Sequence, residues 1–211
     1  FCADNGGCPF ERTRGRNLKP WDPKSYWTYD ASWAQASNTP FRLYKQNQHE
    51  GGISSPLIVH WPKGLKVEPG SITRQPGHLI DFLATFMEIS GAEYPQKVGD
   101  RIIDPIEGKS LIPIFQGKER DGHENLYFHF GTDRALRQGK WKLVSAKGGK
   151  WELYDLEKDR TELNDLAEKH PGRVEKMSKI WFDIAKNKER LGKKGLAPVK
   201  DSVKSLSFRK D

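Results

Sequence analysis

The chain has 211 residues and a formal net charge of +8, with 35% hydrophobic and 30% charged residues. Seven Trp, ten Phe and six Tyr provide bulky core side chains, which argues against a wholly disordered chain. No run of about 18 apolar residues occurs, which excludes a membrane-spanning helix. The sequence also lacks the charged start followed by an apolar stretch that is typical of a secretory signal. Because the chain begins with Phe1 instead of Met, we expect it to be part of a longer protein.

The positive charge is concentrated near the C-terminus. Residues 186–211 contain nine basic and three acidic residues, a net charge of +6, whereas residues 1–185 carry only +2. The composition of residues 191–211 is typical of a solvated basic tail, and an anion-binding arm is the alternative. No zinc-finger spacing or aromatic-basic signature accompanies this charge, so we predict no nucleic-acid partner.

Residues 1–40 are predicted to form a long loop, because Gly- and Pro-containing turn signals interrupt them repeatedly. Cys2 and Cys8 lie in this loop, where two free thiols are favoured over a local disulfide. Loops of this length are usually functional or disordered. Its aromatic side chains could stack on a sugar or aromatic ring, or be buried beneath the loop; they are Trp21, Tyr26, Trp27, Tyr29 and Trp33.

Two apolar segments follow. The run at 56–62 (PLIVHWP) predicts a short strand buried on both faces, as in an α/β sheet. Residues 77–91 have apolar positions spaced three and four apart, which predicts an amphipathic helix with Gly91 as its C-cap. His78 lies near Asp81 at the start of this helix, and we expect a cap or core hydrogen bond there.

Residues 95–122 predict an irregular connection, after which the pattern changes. Four short strand candidates follow, at 125–130, 133–137, 141–145 and 151–154. Gly139-Lys140 and Gly148-Gly149 are typical hairpin turns between them. An apolar face over 173–188 predicts a helix that Pro171 precedes. Three or four antiparallel strands and one helix make a small α+β module.

Four segments carry a resemblance to a known family. They are residues 1–7 (FCADNGG), Lys45 with 50–62 (EGGISSPLIVHWP), 108–113 (GKSLIP), and 134–143 (RALRQGKWKL) with 152–156 (ELYDL). In this order and spacing they resemble the motifs of formylglycine-dependent sulfatases of the arylsulfatase type, in the alkaline-phosphatase-like superfamily. The resemblance spans about residues 1–185 and implies a sulfuric ester hydrolase.

The resemblance also implies the domain organisation. Residues 1–121 are expected to be the C-terminal portion of an alkaline-phosphatase-like α/β domain. Residues 122–190 are expected to form a small α+β subdomain, with an antiparallel sheet of about four strands packed by a C-terminal helix. Residues 191–211 would be a basic tail, and the N-terminal remainder of the same enzyme would be the partner of this chain.

The family pattern assigns roles to three residues. Asp4 and Asn5 match the aspartate and asparagine that bind calcium in the family, and carboxylate and amide oxygens are ligands that calcium prefers. Lys45 matches the lysine that contacts the sulfate, where an ammonium stabilises charge on the transferred group and on the leaving oxygen. We therefore expect half of one Ca²⁺ site, completed by residues outside this chain, and a catalytic, sulfate-binding Lys45.

Other polar residues have two open interpretations. Arg42 and His49 flank Lys45 and could shape the substrate pocket or pack the loop. His129 and Arg134 lie in the C-terminal module, where the resemblance places them near the mouth of the active site. They could contact the organic part of the substrate or form structural pairs within the sheet.

The nucleophile of the family has no counterpart in this sequence. Sulfatases convert the first residue of a Cys-x-Pro-x-Arg or Ser-x-Pro-x-Arg stretch to formylglycine, and the only Cys-Pro pair here begins at Cys8, directly after the metal motif. The formylglycine is therefore expected in the N-terminal part of the enzyme. We predict that this chain by itself has no sulfatase activity.

The sequence is also compatible with two alternative functions. One is a phosphate or phosphonate monoester hydrolase of the same superfamily, and the other is a non-enzymatic module that binds an anionic glycan. For the sulfatase, the substrate would be a sulfate ester, with a sulfated glycan among the candidates. By family analogy we expect a periplasmic or secreted bacterial enzyme.

Overall fold

The computed structural model describes residues 1–10, 18–19, 21–25 and 30–189. Its helices are α1 (Asp30–Asn38), α2 (Glu50–Ile53), α3 (Asp81–Ser90), α4 (Ile112–Phe115) and α5 (Pro171–Asn187). Its strands are β1 (Lys97–Val98), β2 (Arg101–Ile102), β3 (Leu126–Phe130), β4 (Asp133–Gln138), β5 (Trp141–Ser145) and β6 (Glu152–Asp155).

Contacts divide the chain into two compact units, one of Phe1–Ile58 with Tyr127–Asp211 and one of Val59–Leu126. The domain boundaries expected near residues 121 and 190 stay a prediction. Tyr26, Trp27, Tyr29 and the 191–211 tail lie outside the described residues. Within the described part, no helix has both the length and the apolar character needed to cross a membrane.

The first unit contains a four-stranded sheet in the order β3-β4-β5-β6. Strands β4 and β5 pair antiparallel with Leu136 opposite Leu143, and β5 and β6 pair antiparallel with Leu143 opposite Leu153. Gly139 has a φ of 55° in the turn between β4 and β5, a conformation that glycine adopts without steric cost. The predicted strands and this hairpin turn are confirmed.

Helix α5 packs on one face of this sheet. Alternate strand residues point to the same face, which places Leu136, Leu143 and Leu153 together against Met177 and Trp181 of the helix. All five side chains are fully buried. The predicted C-terminal helix is therefore confirmed, and so is the α+β module of four strands and one helix.

The other face of the sheet is buried as well. Ala135, Val144, Tyr154 and Leu156 form a second apolar cluster there. Lys142 belongs to the same alternating set of strand positions and is also completely buried. A buried lysine in a strand requires anionic partners, because an unpaired charge in the interior is very costly.

The N-terminal part of this unit differs from its predicted structure. Residues 30–38, expected as loop, form helix α1, whose only fully buried side chain is the small Ala34. The predicted buried strand at 56–62 is wrong: Leu57 forms a single bridge with Cys2, and Ile58 is 62% exposed. Cys2 and Cys8 are free thiols, as favoured from the sequence.

The second unit is built around α3, which ends at Gly91 with a φ of 68°, as predicted. Asp81, at its first turn, is completely buried and accepts hydrogen bonds from the backbone N–H groups of His78 and Lys109. Arg120 and His123 also bond to its carboxylate, at 2.8 and 2.6 Å. Burial alone would raise the pKa of Asp81, but these donors hold it below its usual range. Within this unit, Asp81 fixes the 108–113 segment to α3.

Candidate functional site

The structure brings the two site motifs of the N-terminal region together. The backbone N–H of Gly6 donates to the carbonyl of Gly52 at 3.0 Å. The N–H of Lys45 donates to the carbonyl of Gly7 at 3.1 Å. The loop that carries Asp4 and Asn5 therefore lies directly against the segment that carries Lys45, although about forty residues separate them in sequence.

Glycine is required where these segments touch. An ideal Cβ at Gly6 would lie 1.8 Å from the carbonyl oxygen of Gly51, and one at Gly51 would lie 2.2 Å from the carbonyl oxygen of Leu43. Both distances are far below van der Waals contact, and both obstacles are backbone atoms that a side-chain rotation cannot move. The glycines of the two motifs thus permit the close approach of three backbone segments.

The two predicted metal ligands present free oxygen atoms. Asp4 is exposed, and no described residue pairs with its carboxylate. The Nδ2 of Asn5 donates to the carbonyl of Gly6 at 2.8 Å, which leaves its Oδ1 available to a ligand. These two hard oxygen donors fit calcium, which takes six to eight oxygen ligands. No cluster of three or more His, Cys, Asp or Glu residues suited to a metal occurs in the described ranges.

Lys45 is half-buried and lies in a tight turn. Leu43, two residues before it, and Gln46, directly after it, have left-handed φ values of 64° and 75°. Among the described residues, Lys45 forms hydrogen bonds only through its backbone, with Gly7 and with the side chain of Asn47. Its ammonium forms no ion pair with any residue that the structure describes. An unpaired cation held at a fixed backbone position is suited to bind an oxyanion.

A cluster of ion pairs fixes the start of helix α2, which follows the turn of Lys45. We call it the Lys142 cluster, and it consists of the buried Lys142, Glu50 and Glu162 with the more exposed Arg160. The Nζ of Lys142 lies 2.9 Å from Glu50 and 2.8 Å from Glu162. Arg160 pairs with the other oxygen of Glu50 at 3.0 Å. Glu162 also accepts the backbone N–H of Glu50 at 2.7 Å. Burial alone would raise the pKa of Glu50, but Lys142 and Arg160 hold it below its usual range.

A second group of polar contacts surrounds Glu152 on β6. Its Oε2 bonds to Arg42 and His49, each at 3.1 Å, and to the hydroxyl of Tyr154 at 2.6 Å. Although burial opposes ionisation, these partners lower the pKa of Glu152 to about 2. Arg42 therefore packs the loop against the sheet, which was one of its two predicted roles. His49 is completely buried in this group, and its predicted substrate contact stays a prediction.

Asp133, at the start of β4, is a buried carboxylate with one oxygen that has no hydrogen-bond partner in the described structure. Burial raises the pKa of Asp133 to about 6, and the backbone N–H of Lys147 only partly offsets this. His49 is among the groups whose charge acts on this carboxylate. At neutral pH the folded protein therefore carries a destabilising negative charge at this position.

The remaining predicted residues lie in other environments. His129 bonds through Nδ1 to Glu189 and through Nε2 to the carbonyl of Gly131, both at 2.9 Å. The guanidinium of Arg134 lies 5.0 Å from the ring centroid of Trp181. A role of His129 in substrate binding stays a prediction. In the aromatic group, the two described members are strongly exposed, Trp21 at 79% and Trp33 at 67%.

Sequence reasoning missed the residues that support the site. Lys142 and Glu152 lie in the recognised motifs, but the sequence analysis assigned neither of them a role. The signal that could have identified them is the strand period, because β4 and β5 each have apolar residues in both alternating sets, Ala135 and Leu136 in β4 and Leu143 and Val144 in β5. A sheet with two apolar faces leaves no solvated face for a lysine.

Comparison with known families gives one match that covers most of the chain. The model of the family described as N-sulphoglucosamine sulphohydrolase, C-terminal, matches residues 41–190. Steryl-sulfatase of Mus musculus is 37% identical over 110 residues, which are 52% of this chain and 16% of that protein. Arylsulfatase D of Homo sapiens is 40% identical over 93 residues, 44% of this chain and 14% of that protein. The chain thus matches only a small share of these relatives' length.

Solved structures show the same fold. Ps i-CgsB in complex with k-i-k-neocarrahexaose superposes with a TM-score of 0.61 at 21% identity, over 81% of this chain and 36% of that chain. BT4656 in complex with D-glucosamine-2-N,6-O-disulfate superposes with a TM-score of 0.52 at 22% identity, over 68% of this chain and 31% of that chain. The predicted alkaline-phosphatase-like fold class is confirmed.

We predict that Lys142→Met destabilises the protein by about 3–5 kcal/mol, because it leaves the buried carboxylate of Glu162 without a cationic partner. Urea denaturation at pH 7 measures the difference. Lys179→Met is the matched control: Lys179 is exposed on α5 and forms no ion pair with a described residue, so its loss should change the stability by at most about 0.5 kcal/mol. Equal losses of stability in the two variants would contradict the role of the Lys142 cluster.

We predict that Asp133→Asn stabilises the protein at pH 8 by about 2–3 kcal/mol. The folded-state pKa of Asp133, about 6, lies above the usual value of 3.8, so its carboxylate destabilises the fold at high pH and this cost disappears as the pH falls towards 4. Urea midpoints at pH 8 and pH 4 measure the effect. The exposed helix residue Asp183 provides the control Asp183→Asn, for which little change is expected. A stabilisation by Asp133→Asn that does not depend on pH would refute this account.

Proposed function

Because the chain belongs to the N-sulphoglucosamine sulphohydrolase C-terminal family, we propose that it forms part of a sulfuric ester hydrolase of the arylsulfatase type. Its contribution is one pair of calcium ligands and one lysine that binds the sulfate group. The remainder of the enzyme provides the nucleophile and the other ligands. This division follows from the motifs in the chain and from the small share of its relatives that it spans.

One observation carries this proposal: the Asp4 carboxylate, the Asn5 Oδ1 and the Lys45 ammonium have no partner among the described residues, and the hydrogen bond from the N–H of Lys45 to the carbonyl of Gly7 joins their segments. The arrangement provides hard oxygen donors and a cation on adjacent segments. A sulfate ester is a hard oxyanion, and it requires these two kinds of group.

Asp4 and Asn5 bind Ca²⁺ in this proposal, through one carboxylate and one amide oxygen. When bound, the cation supplies positive charge that polarises an oxygen of the sulfate group. Two protein ligands alone bind calcium weakly, since the ion needs six to eight oxygens. The other ligands therefore come from the rest of the enzyme.

Lys45 stabilises the negative charge that builds up on the transferred sulfate group and on the leaving oxygen. Its ammonium is a compact cation, and the turn between Leu43 and Gln46 holds its backbone in place. Since the site is pre-formed in the backbone, little reorganisation is needed as the charge develops. This is the catalytic role of Lys45.

The substrate class that we propose is a sulfated glycan. Among the relatives, an ulvan-active sulfatase of Formosa agariphila is 36% identical over 76 residues, 36% of this chain and 13% of that protein. N-acetylgalactosamine-6-sulfatase of Canis lupus familiaris is 31% identical over 106 residues, 50% of this chain and 19% of that protein. The exposed Trp33 offers an aromatic surface of the kind on which sugar rings stack.

We predict that Lys45→Ala lowers the kcat of the full-length enzyme on an aryl sulfate about 10²- to 10³-fold, the usual effect of removing one group that stabilises an oxyanion. Lys63→Ala, which changes an exposed lysine, is the matched control and should retain full activity. Chelation of Ca²⁺ should abolish turnover, and the 211-residue chain alone should show none. Turnover by the isolated chain, full activity of Lys45→Ala, or faster hydrolysis of an aryl phosphate than of the sulfate would contradict the proposal.

A further inference from the structure

Helix α1 directs two amide side chains towards the site segments. Gln35 and Asn38 lie one turn apart, and both are half-buried, whereas Ser37 between them is exposed. Residues three apart lie on neighbouring positions of a helix face. This face meets the 41–43 segment, which leads into the turn of Lys45.

Asn38 contacts both site segments at once. Its Oδ1 accepts the backbone N–H of Gly7 at 3.0 Å, and its Nδ2 donates to the carbonyl of Leu43 at 2.9 Å. A side-chain amide offers a donor and an acceptor in one rigid plane, which allows a single residue to form both bonds. Asn38 therefore connects the loop of the two metal ligands to the turn of the sulfate-binding lysine.

The side chain of Gln35 also forms two hydrogen bonds, but both are to the 41–43 segment. Its Nε2 donates to the carbonyl of Phe41 at 3.0 Å, and its Oε1 accepts the N–H of Leu43 at 3.0 Å. Both bonds support the turn of Lys45. Gln35 and Asn38 thus form two hydrogen bonds each to backbone groups, but only Asn38 reaches the metal-ligand loop.

We propose that Asn38 is a positioning residue that sets the distance between the calcium ligands and Lys45. This inference rests on the proposed function above. A sulfate group that contacts both the cation and the lysine has a fixed size, so the two segments must keep a fixed separation. Misplacement of a reacting group by about 1 Å can lower a rate about 10²-fold, which makes such a restraint important for catalysis.

The test compares three single variants of the full-length enzyme: Asn38→Ala, Gln35→Ala and Ser37→Ala. Calorimetric titration with Ca²⁺ gives the Kd of the metal, steady-state kinetics on an aryl sulfate give kcat/KM, and thermal unfolding without calcium gives the Tm. Ser37→Ala is the control within the helix, because among the described residues its hydroxyl bonds only to the carbonyl of Ala34, at 3.0 Å.

We expect Asn38→Ala to raise the Kd of Ca²⁺ at least tenfold and to lower kcat/KM at least tenfold. Gln35→Ala should lower kcat/KM but leave the Kd of Ca²⁺ within twofold, and Ser37→Ala should change neither. The two amide variants should have similar Tm values, because each loses two hydrogen bonds. Loss of calcium affinity in Asn38→Ala alone is a result that a purely structural role would not produce.

Three results would overturn the inference. If the wild-type enzyme binds Ca²⁺ and hydrolyses the ester, an unchanged Kd of Ca²⁺ in Asn38→Ala, or an equal rise in Gln35→Ala, would refute the positioning role alone. If the wild-type enzyme neither binds Ca²⁺ nor hydrolyses sulfate esters, the proposed function is wrong and this inference falls with it.

Discussion

The ion pairing of the buried Lys142 ammonium is the interaction on which the candidate site depends. The ammonium lies between the carboxylates of Glu50 and Glu162, and all three side chains are nearly inaccessible to water. Removing one partner from such a group leaves a buried charge without compensation, which is far more costly than losing a surface ion pair. The start of helix α2, at Glu50, is thereby fixed to strand β5.

This anchoring reaches the site through a short chain of backbone contacts. Glu50 is followed by Gly51 and Gly52, and Gly52 accepts the N–H of Gly6 from the metal-ligand loop. Gly7 in turn accepts the N–H of Lys45. The motifs are distant in sequence, yet each is one contact away from the next. The C-terminal sheet therefore stabilises the position of the site, although Asp4, Asn5 and Lys45 all lie outside the sheet.

The sequence allowed the regular elements of the C-terminal module to be predicted well. Its short strand segments are separated by turns that contain glycine, and α5 has a clear apolar face. Helix α1 could not be found in this way, because its segment (DASWAQASN) has few apolar residues and is held by side-chain bonds to distant backbone groups. The apolar run at 56–62 had the composition of a buried strand, but a strand also needs neighbours, and Leu57 has only a single bridge.

The candidate site could be predicted only in part. Asp4, Asn5 and Lys45 followed from motif order, and the structure brings their segments together. The pairing of Glu50 with Lys142 could not be predicted from the local sequence, because 92 residues separate the two and each charge alone suggests a surface position. Asn38 gave no signal either, since an asparagine before a Thr-Pro pair is an ordinary turn residue.

Site-resolved amide hydrogen exchange in the wild type and in Lys142→Met tests the central claim most directly. If the Lys142 cluster holds the site segments in place, the N–H groups of Gly6 and Lys45 should lose protection in the variant to a greater extent than those in the middle of α5. Unchanged protection at Gly6 and Lys45, with loss elsewhere in the sheet, would show that the site segments are held independently of Lys142 and would contradict the account.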